Sequence, residues 1–152
     1  MEKTAVILMG LQGSGKSSFY AAYLAESHVH ISLDELKTRK REAALLKECV
    51  AAGRSFAVDN TNPLREDRAR YILPAKAAGY RVEGYFMESK LQRCIERNEQ
   101  RQGKARIPAA AIAATSNKLQ LPGFAEGFDA LYFVRLSGEE MIVEKWREED
   151  GI

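Results

Sequence analysis

Cysteine is scarce in this chain: only Cys49 and Cys94 among 152 residues. They make no C-x-x-C pair and no cluster with the two histidines, which excludes a disulfide framework and a structural zinc site of that type. Reduced, partly buried thiols are expected instead. Long apolar runs are also missing; the longest is far too short to cross a bilayer, so no membrane contact is expected. With no leader-like pattern before the first strand-like run, the expected location is cytoplasmic. Proline is sparse at four residues, and no repeat, low-complexity tract or linker breaks the chain. Hydrophobic residues at 45% exclude a disordered polymer, and the length suits a single domain spanning residues 1–152.

Neither sign of charge dominates, and the net charge is +2. The distribution is uneven. Residues 1–107 carry 19 Lys and Arg against 13 Asp and Glu, whereas residues 108–152 carry 4 against 8. The basic excess fits a phosphate-rich partner, and a solvated surface explains it as well.

What the chain does have is three of its eleven glycines gathered in one short stretch. Residues 10–17 read G-L-Q-G-S-G-K-S, directly after the apolar run Ala5-Val-Ile-Leu-Met9. This is the phosphate-binding loop pattern G-x-x-x-x-G-K-[ST] in its required setting, after a strand and before a helix. Its glycines allow positive φ and a close backbone approach, and the turn aims amides at an oxyanion at the positive end of a helix dipole. Gly13, Ser14, Gly15, Lys16, Ser17 and Ser18 are therefore the expected nucleotide-binding residues. Lys16 would reach the β- and γ-phosphates of ATP, and the Ser17 hydroxyl would enter a Mg²⁺ shell.

The rest alternates strand and helix. Strands are expected near 4–9, 29–32, 54–58, 80–87 and 131–136. Helices are expected at 16–26, 34–52, from Pro63 to Ala78, at 90–102 and after Ile107-Pro108. Pro74 should kink or break its helix. The stretch Glu140–Trp146 reads as either strand or helix. Such alternation implies right-handed crossovers and an α/β fold: a parallel five-stranded sheet with helices on both faces. Ligands in such sheets sit beyond the carboxyl ends of the strands.

Candidate chemistry falls at those ends. Asp34 follows the second strand and can serve as a general base or as a helix N-cap. Asp59 ends the third strand, in the position where a carboxylate orients Mg²⁺; an Asx-turn run through Asn60-Thr-Asn-Pro63 is the other reading. Arg93, Arg97 and Arg101 recur at i, i+4 and i+8, so one helix face presents all three, either to a transferring phosphoryl group or to solvent. Lys37, Arg39, Lys40 and Arg41, and further on Arg65, Arg68 and Arg70, can meet the phosphates of a polymeric acceptor or form ordinary charged helix faces.

Taken together, these residues resemble the kinase domain of the polynucleotide 5′-hydroxyl kinase family. The matching pieces run in order along nearly the whole chain. They are G-L-Q-G-S-G-K-S, S-L-D at 32–34, V-D-N-T-N-P at 58–63, R-A-R-Y at 68–71, R-N-E-Q-R at 97–101, I-P at 107–108 and A-E-G-F at 125–128. The resemblance implies a P-loop kinase fold with a helical lid at about 90–108, using ATP and Mg²⁺. It implies that Asp34 is the general base for an acceptor hydroxyl, and that Lys16 and Arg101 stabilise the phosphoryl group. Arg97 would lie against the adenine, and Ser17 and Asp59 would serve the metal. Lys37, Thr61, Asn62 and Arg65 would line the acceptor side, and a nucleic-acid 5′-OH end is the implied partner. Lys37 stands where an arginine occurs in the phage member of that family, and it supplies charge without the bidentate fork. No D-x-D-x-[TV] motif occurs, so no phosphatase centre of that kind is expected in this chain. Two alternatives stay open: a small-molecule hydroxyl as acceptor, or a nucleotide-binding module without transfer.

Overall fold

The run Ala5–Met9 is wholly buried, and the residues alternate between two cores. Ala5, Ile7 and Met9 join a large cluster with Phe56, Val58, Tyr71, Ile72 and Phe86. Val6 and Leu8 join a smaller cluster on the opposite face with Phe19, Ala57, Met87 and Val134. A strand covered on both faces has no polar side, which is why this segment reads as continuous apolar sequence.

A computed structural model describes residues 2–103 and 106–147. In chain order the elements are β1 (Thr4–Met9), α1 (Lys16–Tyr23), β2 (Val29–Ile31), α2 (Leu33–Leu36), α3 (Arg39–Ala52) and β3 (Phe56–Asp59). They continue with α4 (Arg65–Ala77), β4 (Arg81–Met87), α5 (Leu91–Glu99), α6 (Ala109–Lys118), β5 (Ala130–Ser137) and β6 (Glu140–Lys145). The sheet order is β2-β3-β1-β4-β5-β6. The first five strands are parallel, and β6 returns antiparallel to β5. β1 has β3 on one side and β4 on the other, so the chain leaves its carboxyl end at the point where strand order reverses. The phosphate loop begins there.

The expected five-stranded sheet is thus a six-stranded one. The undecided segment is the sixth strand, entered by a tight two-residue turn at Gly138-Glu139, with Gly138 at φ 64°. The helix expected over 34–52 is two helices. Lys37 sits at φ 75°, and the Thr38 hydroxyl accepts the Arg41 amide to start α3. Asp34 is not an N-cap; Ser32 occupies that position and Asp34 lies in the first turn of α2. Pro74 does not end its helix. It sits in the last turn of α4, where its carbonyl still accepts the Ala78 amide. Cys49 and Cys94 are free and buried. No helix among the described residues is long and apolar enough to cross a membrane.

Candidate functional site: a phosphate loop and the cleft beside it

The loop between β1 and α1 packs tightly. Gly13 has φ 80°, and a Cβ there would lie 2.6 Å from the Cys94 carbonyl oxygen, so only glycine fits between the loop and α5. Gly15, at φ 101°, is the residue from which α1 starts. Lys16, the first residue of α1, folds back over the loop and donates from Nζ to the carbonyls of Gly10 (2.9 Å) and Leu11 (2.8 Å). Burial lowers its pKa to about 8; the charges of Asp59 and Asp34 favour the ammonium form, and Arg101 opposes it. Ser14 Oγ, buried within the loop, has no partner among the described residues.

Beside this loop opens a cleft of about 820 Å³. Its walls include Gly13, Gly15, Lys16 and Ser17 from the loop side, Asp34 and Lys37 from the α2 turn, and Asp59, Thr61 and Asn62 from the end of β3. Arg101 and Ile107 complete it from the segment after α5. Of the candidate residues chosen from sequence, Ser14, Ser18, Arg65 and Arg97 do not line it, nor do the basic residues Lys40, Arg41, Arg68, Arg70 and Arg93. The Arg65 backbone N–H donates to Gln120 Oε1, and its guanidinium reaches toward the Leu121 carbonyl. Arg97 instead donates to the Gly13 carbonyl at 3.2 Å, and it lines a second, shallower pocket of about 310 Å³ with Arg93, Gln100 and Leu136.

The Ser17 hydroxyl donates to Asp59 Oδ2 at 2.7 Å, which brings together the two residues expected to serve a metal. No group of three or more His, Cys, Asp or Glu able to hold a metal occurs among the described residues. The Ser17 hydroxyl and Asp59 carboxylate are the kind of donor set Mg²⁺ takes, since it binds few protein oxygens and fills its shell with water and phosphate.

The structure gives several residues contacts that the sequence reading did not assign. Asn60 Oδ1 accepts the Leu33 amide at the start of α2, while its Nδ2 donates to the buried Glu42 carboxylate and to Tyr71 Oη. Tyr71 and Arg39 donate to the other oxygen of Glu42. This polar hub seats the turn that carries Asp34. Asn62, at φ 46°, donates to the Leu8 carbonyl, and the Gly10 amide donates to the Thr61 carbonyl, so the D-N-T-N-P run is laced to the phosphate loop. Asn98 and Ile107 hold each other through two hydrogen bonds. His30 contacts Asp59 and Glu35. Asn60 and Asn62 stand in the polar Asn-x-Asn after a buried strand, and Tyr71, Asn98 and Ile107 fall in motif pieces read from the sequence, but none of these patterns names the contact the residue makes.

The fold and the loop define the class: a P-loop kinase-type α/β domain. Residues 37–122, more than half of the chain, match the AAA domain family model AAA_33, and the chain belongs to that family. Among relatives, it is 28% identical over 155 residues to a putative bifunctional polynucleotide phosphatase/kinase of Acanthamoeba polyphaga mimivirus, covering 96% of this chain and 37% of that protein. It is 25% identical over 127 residues to the bifunctional polynucleotide phosphatase/kinase of Schizosaccharomyces pombe, covering 81% of this chain and 31% of that protein. The chain therefore spans about a third of the length of these curated relatives. A gluconokinase from Sinorhizobium meliloti 1021 shares the fold, with a TM-score of 0.65 at 20% identity over 87% of this chain and 82% of that one.

Proposed function

We propose that this chain is an ATP- and Mg²⁺-dependent kinase that transfers the γ-phosphoryl group to the 5′-hydroxyl of an oligo- or polynucleotide. The observation that carries the reading is that Asp34, Lys16 and Arg101 line one cleft. An acidic oxygen, a buried ammonium and a guanidinium are the groups that in-line phosphoryl transfer needs. The names of the mimivirus and fission-yeast relatives support the polynucleotide acceptor.

In this reading the nucleotide tail occupies the turn from Gly13 to Ser18, with the base in the shallow pocket against Arg97. Lys16 leaves the Gly10 and Leu11 carbonyls for the phosphates. Ser17 and Asp59 would hold Mg²⁺, which when bound would neutralise phosphate charge. The single domain closes through a lid at about 90–108, with Arg101 meeting the transferring group. Asp34 accepts the proton of the attacking hydroxyl, and Lys37, Thr61 and Asn62 flank the acceptor. Arg65, tied to residues 120–121, is left at the margin of that surface.

The test is transfer from γ-labelled ATP to a 5′-OH oligonucleotide, run beside a panel of sugars, nucleosides and other small hydroxyl compounds. Label on the oligonucleotide 5′ end is the expected result. Label on a small molecule alone would assign the same machinery to a metabolite kinase, and slow hydrolysis unaffected by any acceptor would make the chain a nucleotide-binding module.

A further inference from the structure

His30 touches both halves of this site. Its Nε2 donates to Asp59 Oδ2 at 2.8 Å, the same oxygen that accepts the Ser17 hydroxyl at 2.7 Å. Its Nδ1 lies 2.9 Å from Glu35 Oε1, on the turn that also bears Asp34. The ring stacks on Tyr20 with centroids 4.1 Å apart and planes 20° apart, and Tyr20 is itself fixed by donating to the His28 carbonyl at 2.6 Å. Strand register explains the meeting. His30 pairs with Ala57, and Asp59 is two residues further along β3, on the same face.

We infer that His30 is a positioning residue that holds the metal carboxylate Asp59 and the turn carrying Asp34 in one register. The inference rests on the reading of Ser17 and Asp59 as the Mg²⁺ pair and Asp34 as the base. Two donors on one carboxylate oxygen fix its rotation. The ring is held by stacking on Tyr20 and lies between Asp59 and Glu35, an arrangement that restrains it from turning away from that oxygen. Ligating carboxylates depend on such outer partners for their orientation. The same ring carries the constraint to α2, four residues long and otherwise seated by Asn60.

The experiment measures binding of a non-hydrolysable ATP analogue by calorimetry, with Mg²⁺ and with EDTA, for the wild type, His30→Ala, His30→Gln and Glu35→Gln. His30→Ala should lose about tenfold of the affinity gained from Mg²⁺ while its affinity in EDTA stays within about twofold. His30→Gln should recover most of the gain, because its amide nitrogen can reach Asp59, and it also covers the case in which alanine fails to fold. Equal losses with and without Mg²⁺, or no loss, overturn the inference. A wild type with no Mg²⁺-dependent gain removes the metal reading itself, a result distinct from either. Glu35→Gln should lose less of the Mg²⁺ gain than His30→Ala, because the Tyr20 stack and the Asp59 contact remain, and should lower kcat without raising the KM for ATP; unchanged turnover overturns the link to the Asp34 turn.

Discussion

The side chain of Asn98 binds the backbone of Ile107 in both directions: Nδ2 donates to the Ile107 carbonyl, and Oδ1 accepts the Ile107 amide at 2.8 Å. This ties the end of α5 to the residue before Pro108 and closes the base of the loop that carries Arg101. Asn98 is buried, so an apolar replacement leaves two backbone groups without partners. Asn98→Ala should destabilise the protein by about 1–3 kcal/mol in denaturant unfolding. It should also lower kcat by roughly tenfold to a hundredfold through misplacement of Arg101. Asn98→Asp, which keeps the acceptor and loses the donor, should fall between. Wild-type turnover in Asn98→Ala would show that the loop needs no tether.

Lys16 makes the protein sensitive to pH. Its pKa in the folded, ligand-free protein is about 8, below the ordinary lysine value, chiefly because it is buried. Between about 8 and the ordinary value the unfolded chain binds more protons than the folded one, so the Lys16 contribution to stability rises with pH across that window. Below it, the buried cation opposes folding. The difference in melting temperature between Lys16→Met and wild type should therefore shift in favour of the wild type as pH rises through that range. Nucleotide phosphates favour the ammonium form, so binding should take up a proton above about pH 8 and ATP affinity should fall as pH rises. Calorimetry in buffers of different ionisation enthalpy reads that proton directly; a binding heat independent of buffer at pH 9 would contradict it.

Gly13 offers a steric test. Its φ of 80°, and a Cys94 carbonyl oxygen that would stand 2.6 Å from an added methyl group, leave no room for a side chain. Gly13→Ala should lose about 1–3 kcal/mol of stability from strain and displace α5. Because the Gly13 carbonyl also accepts from Arg97, nucleotide affinity should fall together with stability. Equilibrium unfolding and nucleotide titration on the same variant check both.

Arg68 separates structure from chemistry. Its guanidinium is wholly buried, donating to Met9 Sδ and the Gln120 carbonyl and pairing with Glu126 at 3.0 Å. The R-A-R-Y and A-E-G-F pieces of the resemblance thus meet as an internal brace rather than on an acceptor surface. Arg68→Ala should cost about 3–5 kcal/mol by stranding the Glu126 charge. At a temperature where the variant remains folded, its KM for ATP should match the wild type.

The sheet and its loop were legible because they rest on local or continuous signals: an all-apolar strand, a glycine-rich turn, and acidic residues that end apolar runs. The sixth strand stayed undecided because it lies at a charged edge, where alternation is weak. The break between α2 and α3 was marked by Thr38 as an N-cap. It stayed hidden because Lys37 takes its positive φ in a run of good helix formers. The contacts of Asn60, His30 and Asn98 were not legible, although Asn60 and Asn98 stand in motifs read from the sequence. Each depends on a partner brought close by tertiary folding, such as Glu42 for Asn60 and Asp59 for His30. The place of Arg65 was hidden for the same reason, since Gln120 is far away in sequence and adjacent in space.

The central claim is that Asp34 unmasks an acceptor hydroxyl opposite a triphosphate held by the loop. The most direct measurement compares wild type and Asp34→Asn for two properties: binding of Mg²⁺-ATP by calorimetry, and transfer of labelled phosphate to a 5′-OH oligonucleotide. The claim predicts near-equal nucleotide affinity in the two proteins, with transfer by the variant reduced by about a thousandfold or more. Transfer by Asp34→Asn at close to the wild-type rate would contradict it.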